Sequence, residues 1–436
     1  MSSPRTGAAR VLLVAATTGY QIRSFNEAAD RGGAELVLAT DRCHRLDDPW
    51  RDGAVPIRFH DEDGAVQAIA DAAAGAPFEA VLAVGDRPAV IGALAASALG
   101  LRGNPPAAVR VAGHKVKTRM RMRSAGLPTP WFRSIPLDAD NDVLLRRVAY
   151  PCVVKPLGLA ASRGVIRADT PTELVAAVER LRRLLAAPEI QALRDPASDS
   201  FAVEEYVAGR EVAVEGVLTD GELRVFTIFD KPDPLEGPFF EESIYVTPDR
   251  LSAKERHDVE HGVCATVRAL GLTHGPVHAE CRLGPQGVVV IEVAARPIGG
   301  LCSRVLRFRG RGGESCSLED VLLRHALGQS TSEYLLSRDA AAVMMIPVPR
   351  GGIYQTVEGL RAARSVPLIE DVNITVRPGQ RLVPLPDGAS YPGFIFARGE
   401  TPEQVVAAVR SAHDKLSFRV AAALEVEPET AKVGNL

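Results

Sequence analysis

Two glutamates in one short segment have the types and spacing needed to hold a divalent metal ion. The segment VHAECRLGPQGVVVIEVAAR, residues 277–296, contains two apolar stretches separated by Pro285-Gln286-Gly287. These three residues are typical of a hairpin loop, with Pro opening a type I turn and Gly in the left-handed position. Counting outward with Gly284 opposite Val288 brings Glu280 directly opposite Glu292.

Directly opposed residues of a hairpin have Cβ atoms about 4.5–5.5 Å apart, so the two carboxylates repel and need a compensating cation. Magnesium suits this pair because it binds one or two carboxylates together with substrate phosphates. Two alternatives stay open: one glutamate is protonated, or Arg282 or Arg296 neutralises the pair. A register slip of one residue would turn the carboxylates to opposite faces and remove the site.

A lysine and a glycine-rich turn form the second feature that could do chemistry. Lys155 ends an apolar strand, where burial of a cation is costly without an anionic partner. It is followed by GLAASRG, residues 158–164, whose backbone amides could approach a polyphosphate. The GxxxxGK[ST] motif is absent, and such a turn also occurs without a ligand. Lys115 begins a helix and is either a phosphate contact or a solvated lysine.

The first hundred residues alternate strands and helices. Strands are predicted at 11–16, 35–40 and 80–86, and a helix at 21–31. This alternation indicates a parallel sheet flanked by helices. The turn Thr17-Thr18-Gly19-Tyr20 lacks the GxGxxG pattern, so a bound NAD is not expected.

The remaining chain is expected to contain two further units. Helices are predicted at about 109–125, 171–187 and 253–270, with strands between them and an irregular segment at 231–248. After about residue 340, the segments AAVMMIPV and GFIFARG indicate strands, and a helix is predicted at 402–416. A length of 436 residues allows two or three domains.

Composition narrows the class of protein. The net charge of −3 gives no basic surplus for binding a nucleic-acid backbone, so nucleic acid is not an expected partner. The longest uncharged apolar runs are too short for a membrane helix. No zinc-site spacing relates the scattered cysteines, which are Cys43, Cys152, Cys264, Cys281, Cys302 and Cys316. These features predict a cytoplasmic protein.

Taken in order, four segments resemble the ATP-grasp superfamily. They are HKVKTRMRMRSAGLPTP, PCVVKPLGLAASRGV, VEEYVAGREVAVEG and HAECRLGPQGVVVIEVAAR. The resemblance implies an α/β fold that is α+β in the grasp region. It divides the chain into an N-terminal pre-grasp domain at 1–112, the ATP-grasp domain at 113–340 with a lid at about 119–199, and a small α+β domain at 341–436.

The resemblance also implies roles residue by residue. Nucleotide contacts are implied for Lys115, Lys155, Ser162, Arg163, Gly164, Glu204, Glu205, Val207 and Glu211. Glu280 and Glu292 match the magnesium ligands, with two ions expected, and Arg296 matches the arginine that steadies the acyl phosphate. Many members carry an asparagine as an additional metal ligand where this chain has Ala294.

The segment EVAARPIGG, residues 292–300, is similar to the L-amino acid ligase branch of this superfamily. The C-terminal segment LVPLPDGASYPGFIFARG is similar to the same branch. This branch uses a glutamate for the substrate amino group, which Glu242 matches, and a histidine three residues later. That position is Tyr245, which ordinary packing explains equally well. Implied catalytic residues are Arg296, Lys155, Glu242 and Tyr245; implied substrate contacts are Glu242, Arg296, Gly299 and Gly300.

The resemblance implies a carboxylate–amine ligase that uses ATP and magnesium to form an amide or dipeptide through an acyl phosphate, releasing ADP and phosphate. The expected partners are a small carboxylate and an amine, both amino acids, and a homodimer stays open. Two alternatives remain. One is an ATP-grasp carboxylase or formyl-transferring enzyme acting on a purine-pathway or other amine, and the other is a nucleotide-binding regulator without turnover.

Overall fold

The computed structural model describes residues 8–17, 19–41 and 53–423. Thr18 and Cys43, which enter the sequence interpretation, lie outside these residues. Within them, no helix is both long and apolar enough to cross a membrane.

The N-terminal region is a parallel sheet covered by helices, as the alternating pattern predicts. The strand order is β3-β2-β1-β4, and each neighbouring pair runs parallel. The carboxyl ends of β1 and β4 therefore meet at one edge, where ligands bind in open α/β sheets. The elements are β1 (Ala9–Ala15), α1 (Ile22–Gly32), β2 (Ala34–Thr40), β3 (Val55–Pro56), α2 (Glu62–Gly75), β4 (Ala80–Val84), α3 (Asp86–Ala98) and α4 (Pro106–Ala112).

The next region, residues 115–205, has its own sheet and core, and we call it the lid after the expectation from the resemblance. Its sheet has the order β5-β8-β6-β7. Strand β8, residues 200–205, lies beyond the end of the lid expected at about residue 199. Thr170 caps the long helix of the lid by accepting a hydrogen bond from the Glu173 amide. The elements are α5 (Lys115–Ser124), β5 (Phe132–Pro136), α6 (Asn141–Leu145), β6 (Cys152–Pro156), β7 (Ile166–Ala168), α7 (Pro171–Leu185), α8 (Pro188–Gln191) and β8 (Ser200–Glu205).

A third, central sheet has eight strands. Their order is β13-β12-β9-β10-β11-β17-β21-β19. The expected irregular segment at 231–248 contains an ordered strand of this sheet, β11, so that expectation was wrong at this strand. The elements up to residue 326 are β9 (Arg210–Thr219), β10 (Glu222–Asp230), β11 (Ile244–Thr247), α9 (Ala253–Leu270), β12 (Gly275–Gly284), β13 (Gly287–Ala294), β14 (Arg307–Arg309), β15 (Ser315–Ser317) and α10 (Leu318–Ala326).

The C-terminal region extends this sheet rather than standing apart from it. Strand β17 pairs with β11 and β21, so the region from residue 340 onward shares one sheet with strands β9 to β13. The elements are β16 (Leu335–Leu336), β17 (Ala340–Met345), β18 (Gly352–Glu358), α11 (Leu360–Arg364), β19 (Ile369–Ile374), β20 (Arg381–Leu382), β21 (Gly393–Gly399), α12 (Pro402–His413) and β22 (Ser417–Ala421).

The β12–β13 hairpin confirms the pairing of Glu280 with Glu292 but corrects the loop between the strands. Gly284 pairs with Gly287 rather than with Val288, so the turn contains two residues instead of three. A bulge at Ile291 inserts one extra residue into β13 and shifts the register back. The two one-residue differences cancel, and the glutamates remain opposite one another.

Alternation along the central strands separates core residues from site residues. On β12, Val277, Ala279 and Cys281 pack into the core beneath α9. The intervening side chains, those of His278, Glu280 and Arg282, lie on the other face, because neighbouring residues of a strand point to opposite sides. Strand β9 follows the same rule, with Val212 and Val214 in that core and Glu211 and Glu215 on the site face.

Candidate active site

A cavity of about 360 Å³ lies where the N-terminal sheet, the lid and the central sheet meet. This volume lies within the range of small-molecule sites. It brings together fourteen of the residues that the sequence interpretation selects: Lys115, Lys155, Ser162, Glu204, Glu205, Val207, Glu211, Glu242, Tyr245, Glu280, Glu292, Arg296, Gly299 and Gly300.

Arg163 and Gly164 lie outside this cavity lining, although the resemblance places them over the nucleotide. The Gly164 amide donates to the Pro386 carbonyl at 2.7 Å, and Arg163 Nε donates to the Asp387 carbonyl at 2.6 Å. Their neighbours Ala161 and Ser162 line the cavity and have positive φ angles. The turn therefore presents one part to the cavity and the other to the C-terminal region.

The ion pairs of the opposed glutamates are made with lysines, not with the arginines considered from the sequence. Lys231 Nζ lies 3.1 Å from Glu280 Oε1, and Lys115 Nζ lies 3.9 Å from Glu292 Oε2. Arg282 instead pairs with Glu211, directly opposite on β9, at 2.8 Å. The side chains of Glu280 and Glu292 are 19% and 36% exposed, so both carboxylates remain accessible from the cavity.

Lys231 joins three carboxylates at the base of the cavity. Its Nζ lies 2.7 Å from Glu211 Oε1 and 2.5 Å from Glu242 Oε1, in addition to its contact with Glu280. Burial alone would lower the pKa of Lys231, but the three carboxylates outweigh it and raise this pKa well above its usual value. Oxygens of the three glutamates lie within 4.8 Å of one another, which is close enough to share a cation.

Tyr245 extends this cluster. Its hydroxyl donates to Glu242 Oε2 at 3.0 Å. Burial raises the pKa of Tyr245 well above its usual value, and the neighbouring Glu242 carboxylate acts in the same direction. The pKa of Glu242 is lowered, because Lys231 outweighs the opposing effect of burial. At neutral pH the pair is therefore a protonated phenol and an ionised carboxylate.

Arg119 connects the lid to the strand that carries Glu292. Its guanidinium binds both oxygens of Glu204, at 3.0 and 3.2 Å. It also donates to the Ile291 carbonyl, at the bulge, at 2.7 Å. Lys155 pairs with the same Glu204. Burial alone would raise the pKa of Glu204, but Arg119 and Lys155 lower it to about 2.

Asp86 of the N-terminal region holds Arg296 in the cavity. The two side chains form a fork, with Arg296 Nε to Asp86 Oδ1 at 2.7 Å and Nη2 to Oδ2 at 3.2 Å. Asp86 begins α3 and is separated from β4 by Gly85 alone. Although burial opposes ionisation, Arg296 lowers the pKa of Asp86. Such bidentate pairs fix orientation as well as charge.

Sequence reasoning did not assign Lys231, Asp86 or Arg119 to the site. Lys231 had one usable signal, because the chain contains only seven lysines and this one follows a buried strand. Asp86 and Arg119 had no comparable signal, since their partners lie 210 and 85 residues away.

Comparison with known families divides the chain into three matching parts. An ATP-grasp N-terminal domain model matches residues 26–103, and an ATP-grasp domain model matches residues 148–305. A third model, L-amino acid ligase C-terminal domain 2, matches residues 344–421.

Among solved structures, the fold is similar to an L-amino acid ligase from Bacillus licheniformis. The TM-score is 0.81 at 26% identity, covering 96% of this chain and 100% of the other. Among curated proteins, carnosine synthase 1 of Gallus gallus is 31% identical over 67% of this chain. The ATP-grasp enzyme fsqD of Aspergillus fumigatus is 28% identical over 59% of it. The chain spans only 33% and 46% of the lengths of these two curated relatives.

Proposed function

The chain belongs to the ATP-grasp superfamily and carries the C-terminal domain of its L-amino acid ligase branch, and from this premise we propose that it is an ATP-dependent carboxylate–amine ligase. The reaction would convert ATP to ADP and phosphate while joining the two substrates in an amide bond. We propose amino acids as substrates, following the names of two relatives, an L-amino acid ligase and a carnosine synthase.

One observation carries this proposal. Two opposed carboxylates and three separate cations converge on one cavity between the lid and the central sheet: Glu280, Glu292, Lys115, Lys155 and Arg296. A site for phosphoryl transfer needs this combination, because it must hold a metal ion, the phosphate charges and the reacting carboxylate together.

The donor set of the hairpin fits magnesium. Glu280 and Glu292 offer hard carboxylate oxygens, and Ala294, at the usual asparagine position, offers none. When bound, magnesium would neutralise charge on the ATP phosphates during transfer. We propose two ions, since four carboxylate oxygens are available and phosphates and water can complete each coordination sphere.

The first chemical step would form an acyl phosphate. An oxygen of the substrate carboxylate bonds to the γ-phosphorus of ATP, and the bond from this phosphorus to the β–γ bridging oxygen breaks, releasing ADP. Lys115 and Lys155 are the cavity lysines that would bind the phosphates. Lys115 Nζ is oriented by a hydrogen bond to the carbonyl of Leu159, a cavity-lining residue of the glycine-rich turn, at 2.9 Å.

The second step would form the amide. The amine nitrogen bonds to the acyl carbon, the carbon–oxygen bond to phosphate breaks, and the nitrogen loses a proton. Arg296, oriented by Asp86, would stabilise the oxyanion that develops on the acyl oxygen. One well-placed donor in this role contributes about 3 kcal/mol to the transition state.

Glu242 is our proposed acceptor for a substrate ammonium group. It is ionised, lies in the cavity lining and is oriented by the Tyr245 hydroxyl. Tyr245 itself would be a hydrogen-bond donor rather than a base, because its raised pKa keeps the phenol protonated at neutral pH. Any base that takes a proton from the amine would therefore be a group other than Tyr245.

A product assay tests the proposed function. The protein would be incubated with ATP, magnesium and pairs of amino acids, with ADP release measured by a coupled assay and products identified by mass spectrometry. We expect at least one pair to give ADP and an amide in equal amounts. ADP release that depends on bicarbonate instead would indicate carboxylation, and no ADP with any combination would indicate a nucleotide-binding regulator.

A further inference from the structure

In addition to its connection to β13 through Arg119, the lid contacts a loop of the C-terminal region. We name residues 383–391, between β20 and β21, the clasp loop. The Gly164 amide and Arg163 Nε donate to the carbonyls of Pro386 and Asp387 in this loop. These two bonds hold the glycine-rich turn of the lid against the C-terminal region.

The Asp387 side chain makes the most specific part of this contact. Arg180 of α7 binds both of its oxygens, with Nε to Oδ1 at 3.1 Å and Nη2 to Oδ2 at 2.8 Å. The fork fixes orientation, as bidentate arginine–carboxylate pairs do. The two side chains are 37% and 41% exposed, so water can reach the pair and it can open and close.

The clasp loop is a compact turn that fixes the position of Asp387. The amides of Asp387 and Gly388 both donate to the Pro384 carbonyl, at 3.2 and 2.9 Å. A Cβ atom at Gly388 would lie 1.8 Å from the Val383 carbonyl oxygen, so a side chain there would force the turn apart.

The other end of the clasp loop reaches the substrate cavity. Tyr391 lines this cavity, four residues after Asp387. Its ring lies 6.2 Å from Phe394, which packs edge-on against Tyr20 of the N-terminal region at 5.5 Å. Burial, together with the nearby Glu242, raises the pKa of Tyr391 well above its usual value. One short loop therefore contacts both the lid and the cavity.

We propose that Asp387 is a positioning residue that holds the lid closed through Arg180 and couples this closure to the cavity wall formed by Tyr391. This inference rests on the proposed function, because a closed lid protects an acyl phosphate. When the lid opens, the oxygen of a water molecule bonds to the acyl carbon, the carbon–oxygen bond to phosphate breaks, and a proton goes to solvent. ATP is then consumed without amide formation.

The first test measures lid closure without chemistry. Hydrogen exchange at residues 158–168 would be followed with magnesium and a non-hydrolysable ATP analogue, adenylyl imidodiphosphate. We expect Asp387→Ala to accelerate exchange about fivefold, as loss of a half-exposed pair would shift an open–closed equilibrium. Arg183→Ala is the matched control, because Arg183 lines the same surface groove as Arg180 and Asp387, and its side chain makes no hydrogen bond or ion pair among the described residues. Equal exchange in both variants would overturn the proposal.

The second test measures how tightly ADP release is coupled to amide formation. Asp387→Ala should raise the ratio of ADP to amide about fivefold, whereas Arg183→Ala leaves the ratio unchanged. Arg180→Asp should act like Asp387→Ala, and adding Asp387→Arg to Arg180→Asp should restore both lid exchange and the ratio. A double variant no better than the single ones would contradict the pairing. If the wild type forms no amide, the proposed function fails, while the exchange experiment still decides the role of Asp387.

Discussion

Glu280 stands directly opposite Glu292, and the residue that allows this pairing, Ile291, is bulged out of the ladder between the strands. The bulge also turns backbone carbonyls toward the lid. The carbonyl oxygens of Val290 and Ile291 accept hydrogen bonds from Arg119, at 3.4 and 2.7 Å. Arg119 therefore connects the strand that carries the proposed ligand Glu292 to Glu204 of the lid.

Glu292→Gln should abolish phosphate release while the protein stays folded. The substitution removes one of two proposed metal ligands, and a bound divalent ion contributes several kcal/mol to phosphoryl transfer, so turnover should fall about 100-fold or more. Turnover would be measured by phosphate release and folding by thermal unfolding. Glu222→Gln, at an exposed site on β10, is the matched control and should keep full activity. Unchanged turnover in Glu292→Gln would remove this residue from the metal site.

Lys231→Met should destabilise the protein strongly in the absence of metal. It leaves Glu242 and Glu280 without their cationic partner and Glu211 with Arg282 alone, and breaking a buried ion pair from one side costs about 3–5 kcal/mol. Urea unfolding would measure the loss. Added magnesium should recover part of it, because the three carboxylates can share a cation. Lys254→Met, at an exposed helical lysine, should have little effect, and equal stability of the two variants would contradict the prediction.

Arg119→Met should also destabilise the protein, by about 3–5 kcal/mol, because Glu204 would keep only Lys155 as a cationic partner. The bulge carbonyls would lose their donor at the same time. Arg121→Met, an exposed position two residues along α5, should change the free energy of unfolding by less than about 0.5 kcal/mol. Chemical denaturation compares the two. Similar free energies of unfolding for the two variants would show that the bidentate pair of Arg119 and Glu204 contributes little to stability.

Stability should fall as the pH is lowered from about 6.5 toward 4, and His325 should account for part of the fall. Burial, together with His274 and Arg102, lowers the pKa of His325 to about 4, against the opposing effect of Asp220. The unfolded chain takes up this proton near pH 6.5, so it binds more protons than the folded state within this window. Melting temperatures measured from pH 7 to pH 4.5 should therefore decrease less steeply in His325→Gln. A slope equal to that of the wild type would refute the assignment.

Much of the fold was predictable because its signals are local. The alternation of strands and helices correctly predicted the parallel N-terminal sheet, and the resemblance to the ATP-grasp superfamily is confirmed by the matching domain models. The opposition of Glu280 and Glu292 is also confirmed. The loop that supported it was wrong, since a two-residue turn and a bulge replace the expected three-residue loop.

The sequence by itself determined which residue types were available: the acid pair, the scarce lysines and the small-residue turn, each readable within a short segment. Only the tertiary structure decided their partners. Arg296 meets Asp86, Arg119 meets Glu204, and Arg180 meets Asp387 across 210, 85 and 207 residues of chain. Ion pairs of this kind depend on which strands and loops become neighbours after folding, and no local periodicity encodes that choice.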